Sequence, residues 1–348
     1  MINVSKVLSW EPPDNWLEIK TIDAHTGGEP LRIIIDGYPE LSGNTILEKR
    51  KDAKDRFDYI RKALMLEPRG HADMYGAIIT EPEKDDSDFG VIFMHNDGYS
   101  TGCGHAVLAI TKTFVETGLI EKTEPETMIK MDVPSGQIAA FAQVDNGNVQ
   151  GARFINVPSF VEHLDAEIEI PVYGKIKYDL AFGGAYYAII NVDDNISIDF
   201  QPENISEIIK MGMSIKRSIS DKVKIKHPLE PDMNFLYGVI FSFSPEIKDN
   251  HSRNICVFAN GEVDRSPTGT GVSAIAAIHY ARNKLSLDQP IKIESIVGST
   301  FQVSVIKETI INGKGAIIPQ VVGTANVISK NVFWIDPKDE IGKGFTLR

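Results

Sequence analysis

The sequence predicts a mixed α/β (α+β) protein of two similar domains, and three observations carry that expectation. The chain has 348 residues, more than one hydrophobic core ordinarily supports. Strand-like and helix-like runs alternate along it. Near its middle, the order of those runs begins again.

In the first half, EPLRIIIDGYP reads as a strand ending in turn residues, and KDAKDRFDYIRKALMLEPRG reads as an amphipathic helix stopped by Pro68 and Gly70. MYGAIIT and FGVIFMH are strand-like. The stretch from Cys103 to Gly118 has apolar residues at helical spacing and a glycine stop. IAAFAQV, DNGN and VQGARFINV form a hairpin signal, because Asn146 and Gly147 tolerate the positive φ of a tight turn.

After the weakly apolar VPSFVEHLDAEI the series restarts. AFGGAYYAII reads as a strand, NISEIIKMGMSIKRSI as a helix, FLYGVIFSF and NICVFA as strands, and TGTGVSAIAAIHYARNKL as a helix. Small landmarks recur in order: Gly27-Gly28 with Gly183-Gly184, Tyr75-Gly76 with Tyr237-Gly238, Cys103-Gly104 with Thr268-Gly269, at separations of 156, 162 and 165 residues. Any one such dipeptide recurs by chance. Three in one order with slowly growing offsets point to an ancient duplication, whose pseudo-two-fold would bring the two glycine-rich turns together across an interdomain cleft.

Composition narrows the partners. The formal net charge is −12 and no block of five or six basic residues occurs, so neither nucleic acid nor an acidic membrane is an expected partner. The first residues lack the basic end and apolar stretch of a secretory signal, and no run of about 18 apolar residues occurs, which gives a cytoplasmic expectation. A homodimer is compatible with the sequence but not fixed by it. The two cysteines could pair in principle, though a large intracellular chain seldom needs a disulfide. Cys256 lies in an apolar strand, where it reads as a small buried side chain, whereas Cys103 lies in a turn before a helix, where thiols react.

Each glycine-rich turn precedes a helix whose first N–H groups have no partner within the helix, and glycine lets a ligand approach that backbone. Two such ends facing each other could hold a carboxylate without metal or basic side chain. A helix start also shifts a thiol towards thiolate, so Cys103 is expected to be a base or nucleophile near neutral pH, with His105 two residues on to assist it or to bind substrate. Thr268 cannot copy that chemistry, because a hydroxyl without an adjacent strong base does not ionise usefully. There is no HExxH, CxxC or phosphate-binding GxxxxGK[ST], and the histidines show no ligand spacing, so neither metal nor cofactor is expected. GTGVSA fits a relaxed dinucleotide-binding form with Glu294 at a tolerable distance, but the strand before it is separated by a long loop where such a turn is tight.

DAHTGGEPLRI, the GCGHA turn, AFGGAYYAI and VDRSPTGTG together resemble the proline racemase superfamily. The resemblance implies a diaminopimelate epimerase-like fold: two pseudo-two-fold-related domains, each a curved sheet around a central helix, with the active site in the cleft. The change of domain is placed near Phe160, and the resemblance returns the last residues to the first domain, which gives 1–160 plus about 335–348, carrying Cys103, and 161–334, carrying Thr268. In the family's racemases and epimerases a cysteine stands in each turn, one to remove the α-proton of a small imino acid and one to return a proton on the opposite face. Here Thr268 replaces the second cysteine, a pattern that within the family goes with trans-3-hydroxy-L-proline dehydration. By the same match Gly104, His105, Gly269 and Thr270 hold the substrate carboxylate, Asp264 contacts the ring nitrogen, and Phe182 and Tyr75 line the ring pocket. Asp264 could instead satisfy local turn backbone, and His25 sits in a family motif without a derivable role. Racemase or epimerase activity, or imino-acid binding without turnover, remain the competing expectations.

Overall fold

The computed structural model describes residues 4–192 and 200–347. Among them, seventeen strands hydrogen-bond into one continuous, curved sheet system. In the first half, Leu17–Thr26 and Glu29–Asp36 form a hairpin, and helix α1 (Ile46–Met65) crosses to Tyr75–Thr80, which lies parallel to Glu29–Asp36. Phe89–His95 returns antiparallel, and helix α2 (Gly104–Glu116) follows. The second half repeats this succession: the hairpin Gly174–Phe182 and Tyr186–Asn191, helix α3 (Ile205–Lys222), the parallel strand Leu236–Phe243, the antiparallel strand Ser252–Phe258, and then helix α4 (Gly269–Ala281). The last long strand, Ala325–Ile335, comes back to pair with Leu17–Thr26.

Helices α2 and α4 differ from α1 and α3 for a physical reason. α2 is buried from Gly104 to Val115 and α4 from Gly269 to Ile278, so each is covered on every side and runs through the middle of a wrapped sheet. α1 keeps an exposed charged face. It begins at Ile46, earlier than the charged run suggests, because Thr45 and Glu48 form a reciprocal capping box. It ends at Met65, just before the Glu67-Pro68 pair that cannot continue it.

Two segments differ from their sequence reading. AFGGAYYAII is not one strand: Gly184 takes φ 106°, the chain reverses at Gly183-Gly184, and Phe182 pairs with Tyr186 across the turn. The weakly apolar stretch after Val157 is a full strand, Phe160–Ile170, whose outer residues are exposed and therefore polar. The DNGN hairpin forms as expected, with Asn146 and Gly147 at φ 49° and 73°. No helix among the described residues is long and apolar enough to cross a membrane.

The halves meet through matched turns. The Gly27-Gly28 hairpin end packs on Arg265 and Ser266, just before Thr268, and on Ser299. Its counterpart at Gly183-Gly184 packs on the residues just before Cys103, with the Thr101 hydroxyl donating to the Gly184 carbonyl at 3.0 Å. Buried polar contacts add to the seal. His95 Nδ1 lies 3.0 Å from Glu262 Oε1, and Arg265 pairs with Asp73 at 2.7 Å.

Candidate active site

The starts of α2 and α4 meet at the centre of this junction. A Cβ placed on Gly104 would lie 2.5 Å from the Gly269 Cα, and one on Gly269 would lie 2.6 Å from the Gly104 Cα. Only two glycines permit that approach, and it aims two sets of unpaired helix N–H groups at one small cavity. The cavity is lined by Cys103, Gly104 and His105 from one half and by Asp264, Thr268, Gly269 and Thr270 from the other. Tyr75, Tyr187, Tyr237 and Phe258 form its aromatic walls.

Tyr75 and Tyr237, paired as landmarks in the sequence, face each other with hydroxyls 3.4 Å apart. Tyr75 also hydrogen-bonds Ser100, and the Tyr187 hydroxyl lies 2.7 Å from that of Thr270. Phe182, expected in the ring pocket, is elsewhere. It stacks on Phe160 at 5.1 Å and packs against His227 at 4.7 Å, because the unforeseen reversal at Gly183-Gly184 hands the cavity-facing position to Tyr187. His25 acts locally, where its Nδ1 accepts the Gly28 N–H at 3.2 Å and shapes the hairpin end.

Cys103 caps α2 with its backbone in the extended region, and its sulfur lies 3.3 Å from His105 Nδ1. The thiol does not have the lowered pKa that its position at a helix start suggests. Burial pushes it well above the ordinary value, the Ala106 N–H opposes this, and the nearby Asp264 and Glu29 carboxylates raise it further. Burial also lowers the His105 imidazole to about 3, which leaves it neutral, and raises Asp264 to about 6. Cys103 and Cys256 are both free thiols. Cys256 is buried in its strand as read, yet its side chain reaches the cavity beside Thr268.

Thr268 stands at φ 70°, an unusual conformation for a β-branched residue, and its buried hydroxyl lies beside Asp264 and Cys256 at the cavity. Asp264 Oδ1 accepts the Ser266 N–H at 2.7 Å. This turn contact occupies one oxygen, and the side chain still reaches the cavity wall. Glu29 is a site neighbour that sequence reasoning misses. It comes from the Glu29–Asp36 strand, is fully buried, and accepts the Arg265 N–H at 2.7 Å through Oε2. Glu29, His105 and Asp264 each offer a donor atom within 4.8 Å of the others, a spacing that could hold a cation or pass protons.

Residues 21–346 match the family described as proline racemase. The chain belongs to that family. A trans-3-hydroxy-L-proline dehydratase of Colwellia psychrerythraea is 46% identical over 346 residues, covering 99% of this chain and 97% of that protein. A 3-hydroxyproline 2-epimerase of Burkholderia multivorans is 40% identical over 330 residues, covering 95% and 98%. Among solved structures, a hydroxyproline epimerase from Agrobacterium vitis with bound trans-4-hydroxy-L-proline superposes with a TM-score of 0.90 at 30% identity, covering 95% of this chain and 96% of that one. Proline racemase family membership thus accounts for the matched turns, while relatives of similar identity bear two different activity names.

Proposed function

We propose that this chain dehydrates trans-3-hydroxy-L-proline to Δ1-pyrroline-2-carboxylate and water. The observation that carries the reading is the pairing of Cys103 with Thr268 across the junction of α2 and α4, one thiol facing one hydroxyl. The similarity to dehydratases at 40–46% identity supports it.

In the trans isomer the carboxylate and hydroxyl lie on opposite ring faces, so the α-hydrogen and the hydroxyl share a face. A base on that side confronts both. The substrate carboxylate sits between the two helix starts, whose N–H groups stabilise the charge that spreads onto it as the α-proton leaves. Asp264 receives the ring ammonium, which acidifies the α-carbon and offsets the carboxylate field that adds to burial in raising the Cys103 thiol. The Cys103 thiolate then removes the α-proton, the C3–O bond breaks, and the enamine tautomerises to the imine. Thr268 fills the opposite side without offering a proton, which prevents return of a proton on the far face.

Epimerisation of a hydroxyproline is the second reading, favoured by Cys256 at the cavity wall beside Thr268 and by the similarity to a 3-hydroxyproline 2-epimerase. Burial holds the Cys256 thiol well above its ordinary pKa, and it comes from a strand rather than from a helix start. A panel of proline and its 3- and 4-hydroxy isomers in deuterium oxide separates the two. The dehydratase forms pyrroline from trans-3-hydroxy-L-proline and no D-proline from L-proline, whereas clean interconversion of proline enantiomers removes the argument from Thr268.

A further inference from the structure

One buried acid takes no part in these steps. Glu29 has no exposed surface, and its Oε1 meets no hydrogen-bond partner among the described residues, although Oε2 is fixed by the Arg265 N–H of the other half. An orphaned, fully buried carboxyl oxygen is costly and calls for a physical reason. Glu29 does not line the cavity. It stands behind His105 and Asp264, within 4.8 Å of a donor atom of each, and His105 in turn touches the Cys103 sulfur.

Resting on the dehydratase reading, we propose that Glu29 is the proton store of the site: acting through the His105 ring, it supplies the proton that the departing 3-hydroxyl needs, and it is refilled from solvent after the product leaves. Two neighbouring carboxyl groups in a dry site resist ionising together. The substrate ammonium fixes the negative charge on Asp264, so the proton stays on Glu29, which burial, Asp264 and Asp73 favour and Arg265 opposes. His105, neutral and on the Cys103 side, is next to the ring face that carries both the α-hydrogen and the hydroxyl.

The step balances. Cys103 sulfur takes the α-proton, the C–H electron pair becomes the C2–C3 π bond, and the C3–O pair leaves with oxygen. That oxygen takes the His105 N–H proton and departs as water, while the other ring nitrogen takes the Glu29 proton. The site is left with a Cys103 thiol, a neutral His105 and a Glu29 carboxylate. After product release Glu29 regains a proton from water through the His105 ring, and the Cys103 thiol gives its proton to water as the next substrate ammonium docks on Asp264, which restores acid and thiolate. The separation between Glu29 and the ring closes on binding or is spanned by one water, as catalytic contacts often are in empty sites.

The test separates proton removal from hydroxyl departure. Glu29→Gln should lower dehydration of trans-3-hydroxy-L-proline at least about 10²-fold. It should leave solvent deuterium exchange at Cα, and fluoride release from trans-3-fluoro-L-proline, within about threefold of wild type, because fluoride leaves without a proton. Dehydration by Glu29→Gln at the wild-type rate overturns the proposal, as does an equal loss of exchange, fluoride release and dehydration in a folded variant. Should the variant not fold, the wild-type pH profile decides: kcat for the hydroxy substrate falls on the alkaline side while fluoride release does not, and a shared alkaline fall overturns the proposal. A wild-type enzyme that makes no pyrroline from the hydroxy substrate overturns the dehydratase reading itself, a result distinct from intact dehydration by Glu29→Gln.

Discussion

Gly104 and Gly269 touch backbone to backbone where α2 and α4 begin, and neither has room for a methyl group: the obstructing atom for each is the other's Cα. No flexible side chain can yield there. Gly104→Ala or Gly269→Ala should therefore push the helix starts apart and lower kcat/KM at least about 10²-fold, with a lower Tm. Gly315→Ala, which meets open space, is the control and should change neither steady-state kinetics nor the thermal melt.

Thr268 is the specificity switch under the proposed chemistry. Cys103→Ala should abolish both α-hydrogen exchange and pyrroline formation, read by NMR in deuterium oxide. Thr268→Cys should add a proton donor on the far face and confer measurable racemisation of L-proline, read by chiral chromatography. Failure of Thr268→Cys to gain any, while it retains dehydration, would show that the hydroxyl is not what withholds the second proton.

Asp264 gives a pH signature with a definite sign. Its folded-state value of about 6 exceeds the ordinary value of 3.8, so the folded protein holds the proton more tightly and stability falls as pH rises through that window. The difference corresponds to a destabilisation of about 3 kcal/mol, absent below the lower value and fully present above the upper one. Asp264→Asn should accordingly raise stability above pH 6 towards that limit in denaturant titrations, and should raise KM for the imino acid. In the unaltered enzyme KM should rise below about pH 6 as the acceptor for the ring ammonium is lost.

His95 and Glu262 hold the halves together from positions that are both almost fully buried. Glu262 Oε1 also accepts the Asp97 N–H at 3.1 Å. His95→Ala strips the side-chain partner from a buried carboxylate and should cost about 3 kcal/mol. Replacing both residues should cost less than the sum of the single changes, and a double-mutant cycle in urea measures that difference.

Much of this arrangement is legible in the sequence because the decisive features are local and occur twice. A glycine-rich turn before an apolar helical run is visible at Cys103 and again at Thr268, and the Tyr-Gly landmarks mark Tyr75 and Tyr237, which do meet. Phe182 is misplaced by that reading because one reversal within AFGGAYYAII exchanges which aromatic faces the cavity. Glu29 lies within the DAHTGGEPLRI motif, but its sequence neighbours give no hint of its part in the site. Its role depends on a hairpin end, a helix start and a turn some 236 residues away converging, and no periodicity reports a three-body meeting. The thiol pKa escapes prediction for a related reason: the helix start is local, while the desolvation and the carboxylate field that outweigh it depend on the far half.

The tyrosine pair, the imidazole–carboxylate contact and the Arg265 clasp all lie across the same seam that hides the sulfur. Under the proposed chemistry an imino acid reaches that sulfur only when the seam opens, so each round of turnover includes a parting and a re-docking. The tempo of turnover then belongs partly to that hinge, and solvent viscosity becomes a variable of the chemistry.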